Sequence, residues 1–360
     1  MKYFLSIFVW IVMACSREKQ PEPILLSDSQ LALHSIGNAV IIRSFLDLQN
    51  SVNAMNEFAN SYVQDSTNTQ KLLTLRREWI NAVVSWKLSS IFLEGNFRTD
   101  IRSSNLYAPA NTTAIENIIS SNIPRFDPAY VNALEETSTG LSAIEFLIYG
   151  TDHGEPESVV SVFKTVGSRR GAYLRALCLD LKRRSDQLLF QWSIAGDGYI
   201  NKFMASSNLE RSSSLGLLTD NIISTISRIK EARIGLPLGA NGAAQPQLVE
   251  SRYSGESIRF IRAELQSVQQ IFTGMRTTKI GQKGLNWLLD QADARSGNVK
   301  LSAAIEARFV NIYSKLEQIQ SPLEQAVVIN SKQVKEVYES IEELQQLLQK
   351  DMVTNLHFSK

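Results

Sequence analysis

The chain is predicted to be all-α, built as two antiparallel, four-helix-bundle-like halves packed together. Three observations point there. Apolar residues recur at three- and four-residue steps through most of the 360-residue sequence, the spacing that lines one face of a helix. No run of strict alternation bounded by turn residues argues for a sheet. A break at AGDGYIN, residues 195–201, leaves about four substantial helices on each side, enough for a bundle in each half.

Ahead of the folded part, residues 1–14 place Lys2 before an apolar run from Tyr3 to Met13 interrupted only by Ser6. This is a secretory signal, too short to span a bilayer stably. It ends in Val12-Met13-Ala14-Cys15, which resembles a bacterial lipobox, so Cys15 is expected to be the acylated first residue of the mature chain. Several acyl chains at roughly 0.8 kcal/mol per buried CH₂ make such an anchor permanent. Residues 15–26, polar and carrying Pro21 and Pro23, read as a flexible tether. The N-terminal bundle is assigned to 27–204 and the C-terminal one to 205–360. Ser16 is not the aspartate that retains lipoproteins at the inner membrane, so the outer membrane, facing the periplasm, is the expected location.

The first helical stretch, 27–63, carries Leu31, Leu33, Ile36, Val40, Ile41, Phe45 and Leu48, with Gly37 as its interruption. It is one long amphipathic helix or two in series. A second helix, 69–93, has Trp79 and Trp86 seven apart on one face, a core stripe. Residues 96–111 form a loop; short helices follow at 112–121 and 128–136, set off by Pro124 and Pro128. The stretch GLSAIEFLIYG, 140–150, reads as a helix capped by Thr139 and closed by Gly150. One long helix is predicted from Glu157 to Ser193. The second half repeats the style with helices at 209–233, 250–272, GLNWLLDQA, 300–319 and 330–350, and a Gly/Pro-rich loop at 235–247. The last helix spaces Val334, Val337, Ile341, Leu344 and Leu348 as a bundle seam.

Charge excludes some functions. There are 37 Lys and Arg against 36 Asp and Glu, and Lys2 leaves with the signal. The neutral mature chain gives no footprint for nucleic acid or for an electrostatic membrane patch. With Cys15 lipidated, Cys178 has no partner within the chain and is expected as a buried apolar residue.

The residue that asks for an explanation is Glu145, the single charge in a helix that is apolar nearly all round. Ser142, Glu145 and Tyr149 share a narrow stripe by helical spacing, and they are the candidate ligand-binding residues. A carboxylate on a buried helix must be protonated, paired with a cation, or bound to a metal. Its partner is Ser142, a backbone donor or an arginine, with Arg76, Arg77 and Arg233 candidates by residue type. Glu145 is also the candidate metal ligand, and His153, in the acidic loop TDHGEPE, a weaker one. The other histidines are His34, on the first helix, and His357, near the end.

Gly140, Glu145, Phe146, Leu147, Tyr149 and Gly150 resemble the signature of the imelysin family, G-x-H-x-x-E followed by an aromatic and glycine, with Ser142 where the histidine stands. LRREWINAVVSWKLSSIF (75–92), ARIGLPLG (232–239) and VESRYSGESI (249–258) are similar to the family's Trp-rich second helix and its second-domain loop and helix start. The resemblance implies an envelope protein of two helical bundles, often a lipoprotein, linked to iron or haem acquisition, with a site where the bundles meet and a filing among metallopeptidases. Iron is the cofactor it implies, and envelope iron or haem uptake proteins are the partners. A zinc hydrolase needs about three protein ligands and a general base, and neither H-E-x-x-H nor G-x-S-x-G occurs. The expectation is therefore a non-catalytic binding lipoprotein. The alternatives are a partner-binding helical module whose site has decayed and a divergent metal-dependent peptidase.

Overall fold

The computed structural model describes residues 26–94, 106–150, 154–165, 168–240, 242–276 and 281–356. Cys15, the signal, the tether up to residue 25, His153 and His357 lie outside the described residues.

Helix α1 runs from Asp28 to Gln64. It starts in a capping box, in which the Ser27 hydroxyl accepts from the Gln30 N–H while the Gln30 side chain accepts from the Ser27 N–H. That reciprocal pairing satisfies two otherwise orphaned groups. The expected interruption at Gly37 is a π-helical turn over Ile36–Ile41 rather than a break. Gly37 faces Ile200, where a Cβ would come within 3.0 Å. By length and composition α1 could cross a membrane, but its apolar face, from Leu33 to Tyr62, is packed against other helices.

The elements that follow are α2 (Thr69–Ser89), α3 (Thr112–Ser120), α4 (Pro128–Ala133), α5 (Gly140–Tyr149), α6 (Pro156–Thr165), α7 (Ser168–Trp192) and α8 (Tyr199–Ala205). Then come α9 (Ser214–Arg228), α10 (Ser257–Thr273), α11 (Leu285–Gln291), a two-residue ladder of β1 (Arg295–Ser296) with β2 (Val299–Lys300), α12 (Leu301–Gln318), α13 (Leu323–Ile329) and α14 (Ser331–Gln346). The fold is all-α. In one group α1 packs on α2 and α7, and α5 on α2 and α7; in the other α9, α10, α12 and α14 pack together, with α10 also lying along α2. The first turns of α1 touch α8, α9, α10 and α11, so this helix serves both groups. Trp79 is fully buried, and Val334, Val337, Ile341, Leu344 and Leu348 line the seam of α14 and its continuation as expected.

Three predicted elements differ. The stretch read as one helix from Glu157 to Ser193 is two, α6 and α7. The helix read from 209 begins at Ser214, where the Ser213 hydroxyl caps it. The helix read from 250 begins only at Ser257, because Ser251 (φ 54°) and Gly255 (φ 73°) adopt left-handed backbone conformations. A helix cannot pass through such residues, and the turn they form supplies part of the site.

Candidate functional site

Helix α5 is placed by its two glycines. Gly140 has φ +75°, and a Cβ there would lie 2.4 Å from the Leu106 carbonyl oxygen. That close approach lets the Leu141 N–H donate to Leu106 at 2.8 Å, satisfying a first-turn group of the helix from the preceding loop. Thr139 does not cap the helix with its hydroxyl, which turns back to the Glu136 carbonyl. Gly150 (φ +71°) closes it, donating to Phe146 at 2.9 Å. Trp79 of α2 fixes the near side by donating its indole N–H to the Leu141 carbonyl at 2.8 Å.

Glu145 is 2 % exposed, and its partners are Ser254, from the turn ahead of α10, and Tyr107, from the loop ahead of α3. Ser254 donates to Oε1 from its N–H at 2.9 Å and from its hydroxyl at 2.8 Å. Tyr107 donates to Oε2 at 3.3 Å and is itself hydrogen-bonded to the Ser251 hydroxyl. Among the described residues no cation touches the carboxyl. Burial pushes its pKa up to about 8, although the Ser254 and Tyr107 hydrogen bonds pull the other way. Desolvation wins because neutral donors replace only part of the lost hydration. Tyr107 is likewise driven well above the ordinary tyrosine range, first by burial and then by the acids around it.

The expected arginine partners are therefore corrected. Arg76 donates to the Ile148 and Gly154 carbonyls at 2.9 and 3.0 Å and lies over the Tyr149 ring, 4.4 Å from its centroid. Arg77 pairs on the surface with Glu78. Arg233 meets Glu250 at 2.9 Å and Glu264 at 3.2 Å. Ser142 is not the partner either, since its hydroxyl donates to the Ala108 carbonyl. Of the three residues on the predicted stripe, Ser142 and Glu145 line one cavity of about 250 Å³, together with Tyr107, Arg233 and Ser251. Tyr149 does not join them; it lines a separate cavity of about 300 Å³ beside Phe146 and Arg170.

A second cavity, of about 380 Å³, shares Tyr107, Pro109 and Arg233 with the first. Its wall holds charges the sequence analysis missed. Lys87, 2 % exposed, reaches Glu250 at 2.7 Å and Glu264 at 3.0 Å and lies 4.9 Å from the Tyr107 ring centre. Arg228 meets Glu94 at 2.6 Å. Glu264 feels burial as the largest influence, yet Lys87, Arg233 and Arg228 outweigh it and hold its carboxyl well below the usual range. The cleft thus has a hydroxyl-rich end at Glu145, whose wall also carries Arg233, Glu250 and Arg252, and a charge-balanced end around Glu264.

The implied metal does not fit this donor set. Around Glu145 stand hydroxyls of Ser142, Ser251, Ser254 and Tyr107, which are weak ligands, and the carboxyl favours its protonated form. Among the described residues no group of three or more His, Cys, Asp or Glu side chains is arranged to hold a metal ion. The arrangement suits recognition by hydrogen bonding.

Comparison with known proteins gives three results. The family model for imelysin, peptidase M75, matches residues 41–350. No curated protein matches. Among solved structures, the chain is similar to an imelysin-like protein from Psychrobacter arcticum 273-4 (17 % identity, TM-score 0.65, covering 93 % of this chain and 98 % of that one). It is also similar to a provisionally named iron-regulated protein A precursor from Parabacteroides distasonis ATCC 8503 (15 % identity, TM-score 0.73, covering 93 % and 97 %). At these identities the likeness carries the fold alone.

Proposed function

Because the chain belongs to the imelysin family, we propose that it is a cell-envelope lipoprotein acting in iron or haem acquisition as a binding component rather than as a peptidase. Cys15 carries the lipid anchor in this reading, and the outer membrane, facing the periplasm, is its place; the support is the apolar leader and the lipobox-like Val12–Cys15. Iron or haem uptake proteins of the envelope are its partners. The link to iron rests on the family resemblance and on the iron-regulated name of one structural relative.

One observation carries the binding reading. Glu145, almost excluded from water, is held by neutral donors at the wall of a cavity between the two helix groups. A carboxyl with a pKa of about 8 presents a hydrogen-bonding acid at neutral pH rather than a charge. The cleft therefore suits an organic ligand or a chelate, held by hydrogen bonds and apolar contact, better than a bare ion.

The test is titration of the chain from Pro23 onward with ferric iron and with haemin, followed by metal analysis after dialysis, for wild type and Glu145→Gln. Binding by wild type that Glu145→Gln weakens supports the reading, and failure of wild type to take either ligand sinks it. A second reading, the partner-binding module with a decayed site, is favoured by the fact that both oxygens of Glu145 already have protein partners. Binding that Glu145→Gln leaves unchanged would favour that reading, with the acid a clasp between helix groups.

A further inference from the structure

A cavity of about 520 Å³ lies between α1, the segment 124–128 ahead of α4, and α7, and it shares no lining residue with the cleft. Three arginines line it: Arg125, Arg169 and Arg175. Arg169 is a fixed part of the wall. Its Nε and Nη1 donate to the Ile119 and Ile123 carbonyls at 2.6 and 2.7 Å, and its guanidinium lies 4.8 Å from the centre of the Phe126 ring. Carbonyl partners hold the group in place without neutralising it.

Arg125 and Arg175 are exposed and have no carboxylate partner among the described residues. The one acid in the described wall, Asp127, caps α4 by accepting the Tyr130 N–H at 2.8 Å. The wall therefore carries three positive charges against one negative, in a chain whose 37 basic and 36 acidic residues nearly balance. Elsewhere half-buried arginines meet acids directly, as Arg228 does Glu94 and Arg276 does Asp47. Guanidinium groups match carboxylates bidentately, and a concave wall concentrates their field. The volume lies within the roughly 300–1,000 Å³ of small-ligand sites. A single carboxylate would leave one of the two unpaired guanidinium groups unmatched.

We propose that this groove binds a polycarboxylate, a ligand with two or more carboxylates that engages Arg125 and Arg175 together. The source is a free small acid or an acidic stretch of another protein, and the two are separable. The full chain in detergent is titrated calorimetrically with citrate, with a tetraglutamate peptide and with inorganic phosphate. Arg125→Gln and Arg175→Gln are compared with wild type and with Arg43→Gln, an exposed residue of α1 outside the groove. Since the two groove variants alter exposed side chains without partners, both should fold, which circular dichroism verifies. Citrate or tetraglutamate should bind, more weakly at high salt. Each groove variant should lose about tenfold in affinity, the worth of a charged hydrogen bond, while Arg43→Gln loses none. Citrate alone binding identifies a free acid; tetraglutamate alone binding identifies an acidic protein segment. Failure of both to bind wild type, binding that both groove variants leave intact, or displacement by equimolar phosphate would overturn the proposal.

Discussion

The carboxyl of Glu145 and the backbone N–H of Ser254 stand 2.9 Å apart across 109 residues of sequence. This bond ties α5 to the turn that precedes α10. The acid is held by a backbone donor and hydroxyls, and without a cation beside it burial sets its protonation state.

That state gives stability a pH dependence of known sign. In the unfolded chain this glutamate ionises near its ordinary value of about 4.3; in the folded protein it keeps its proton up to about 8. The folded state binds the extra proton, so stability should fall as pH rises between those values, by about 3–5 kcal/mol in all, and level off above. Glu145→Gln replaces the acid by an amide that cannot ionise and should flatten the slope. Urea unfolding of both proteins at pH 5, 7 and 9 checks this, and an unaltered slope in the variant would assign it to another group.

Lys87 and Glu264 make the opposite case, a buried pair that is ionised. Lys87→Met keeps most of the volume and removes the charge between Glu250 and Glu264. Leaving buried acids short of a cation should cost about 3–5 kcal/mol, read from the denaturation midpoint. Lys87→Met combined with Glu264→Gln should recover part of that loss. Because the Glu264 carboxyl is lowered, its own contribution is present above the ordinary carboxylate pKa and lost as pH falls through its folded value.

Gly140→Ala tests how α5 is seated. The new Cβ would meet the Leu106 carbonyl oxygen at 2.4 Å on a backbone of φ +75°. Strain and displacement together should cost about 2–3 kcal/mol. A shift of the 106–108 segment should also move Tyr107 away from Glu145. A melting temperature equal to wild type would show that the loop yields freely.

Ser142→His asks how much of a metal site is missing. It places an imidazole one turn ahead of Glu145 on the wall of the same cavity, a pair that helix bundles use for metals. Affinity for Zn²⁺ or Co²⁺ should rise over wild type, and more so toward pH 8, because binding must release the Glu145 proton. No rise in a calorimetric titration would show that the pair lacks a third ligand.

Much of this was legible in the sequence. The all-α plan and the seam of α14 follow from local periodicity, and Glu145 stood out as a lone charge in an apolar helix. Lys87, flanked by Trp86 and Leu88, carries the same signal, but the tryptophan stripe around it reads equally well as ordinary core. The turn at 249–256 was not legible. Val249 and Tyr253 keep helical spacing, while the left-handed backbone at Ser251 accompanies contacts with residues more than a hundred positions away. Tyr107 sat in a loop with no period to read, and nothing in a sequence says which cavity Tyr149 will face.

Helix α1 is a strut shared by both sides of the cleft. At 37 residues it is about 55 Å long, with its first turns bedded in one helix group and its remainder in the other. Rotating the groups apart like jaws would bend this member or strip Ile36, Val40 and Ile41 from their seats. A member anchored in both groups is therefore a tie across the cleft, and its length sets the spacing of the two walls.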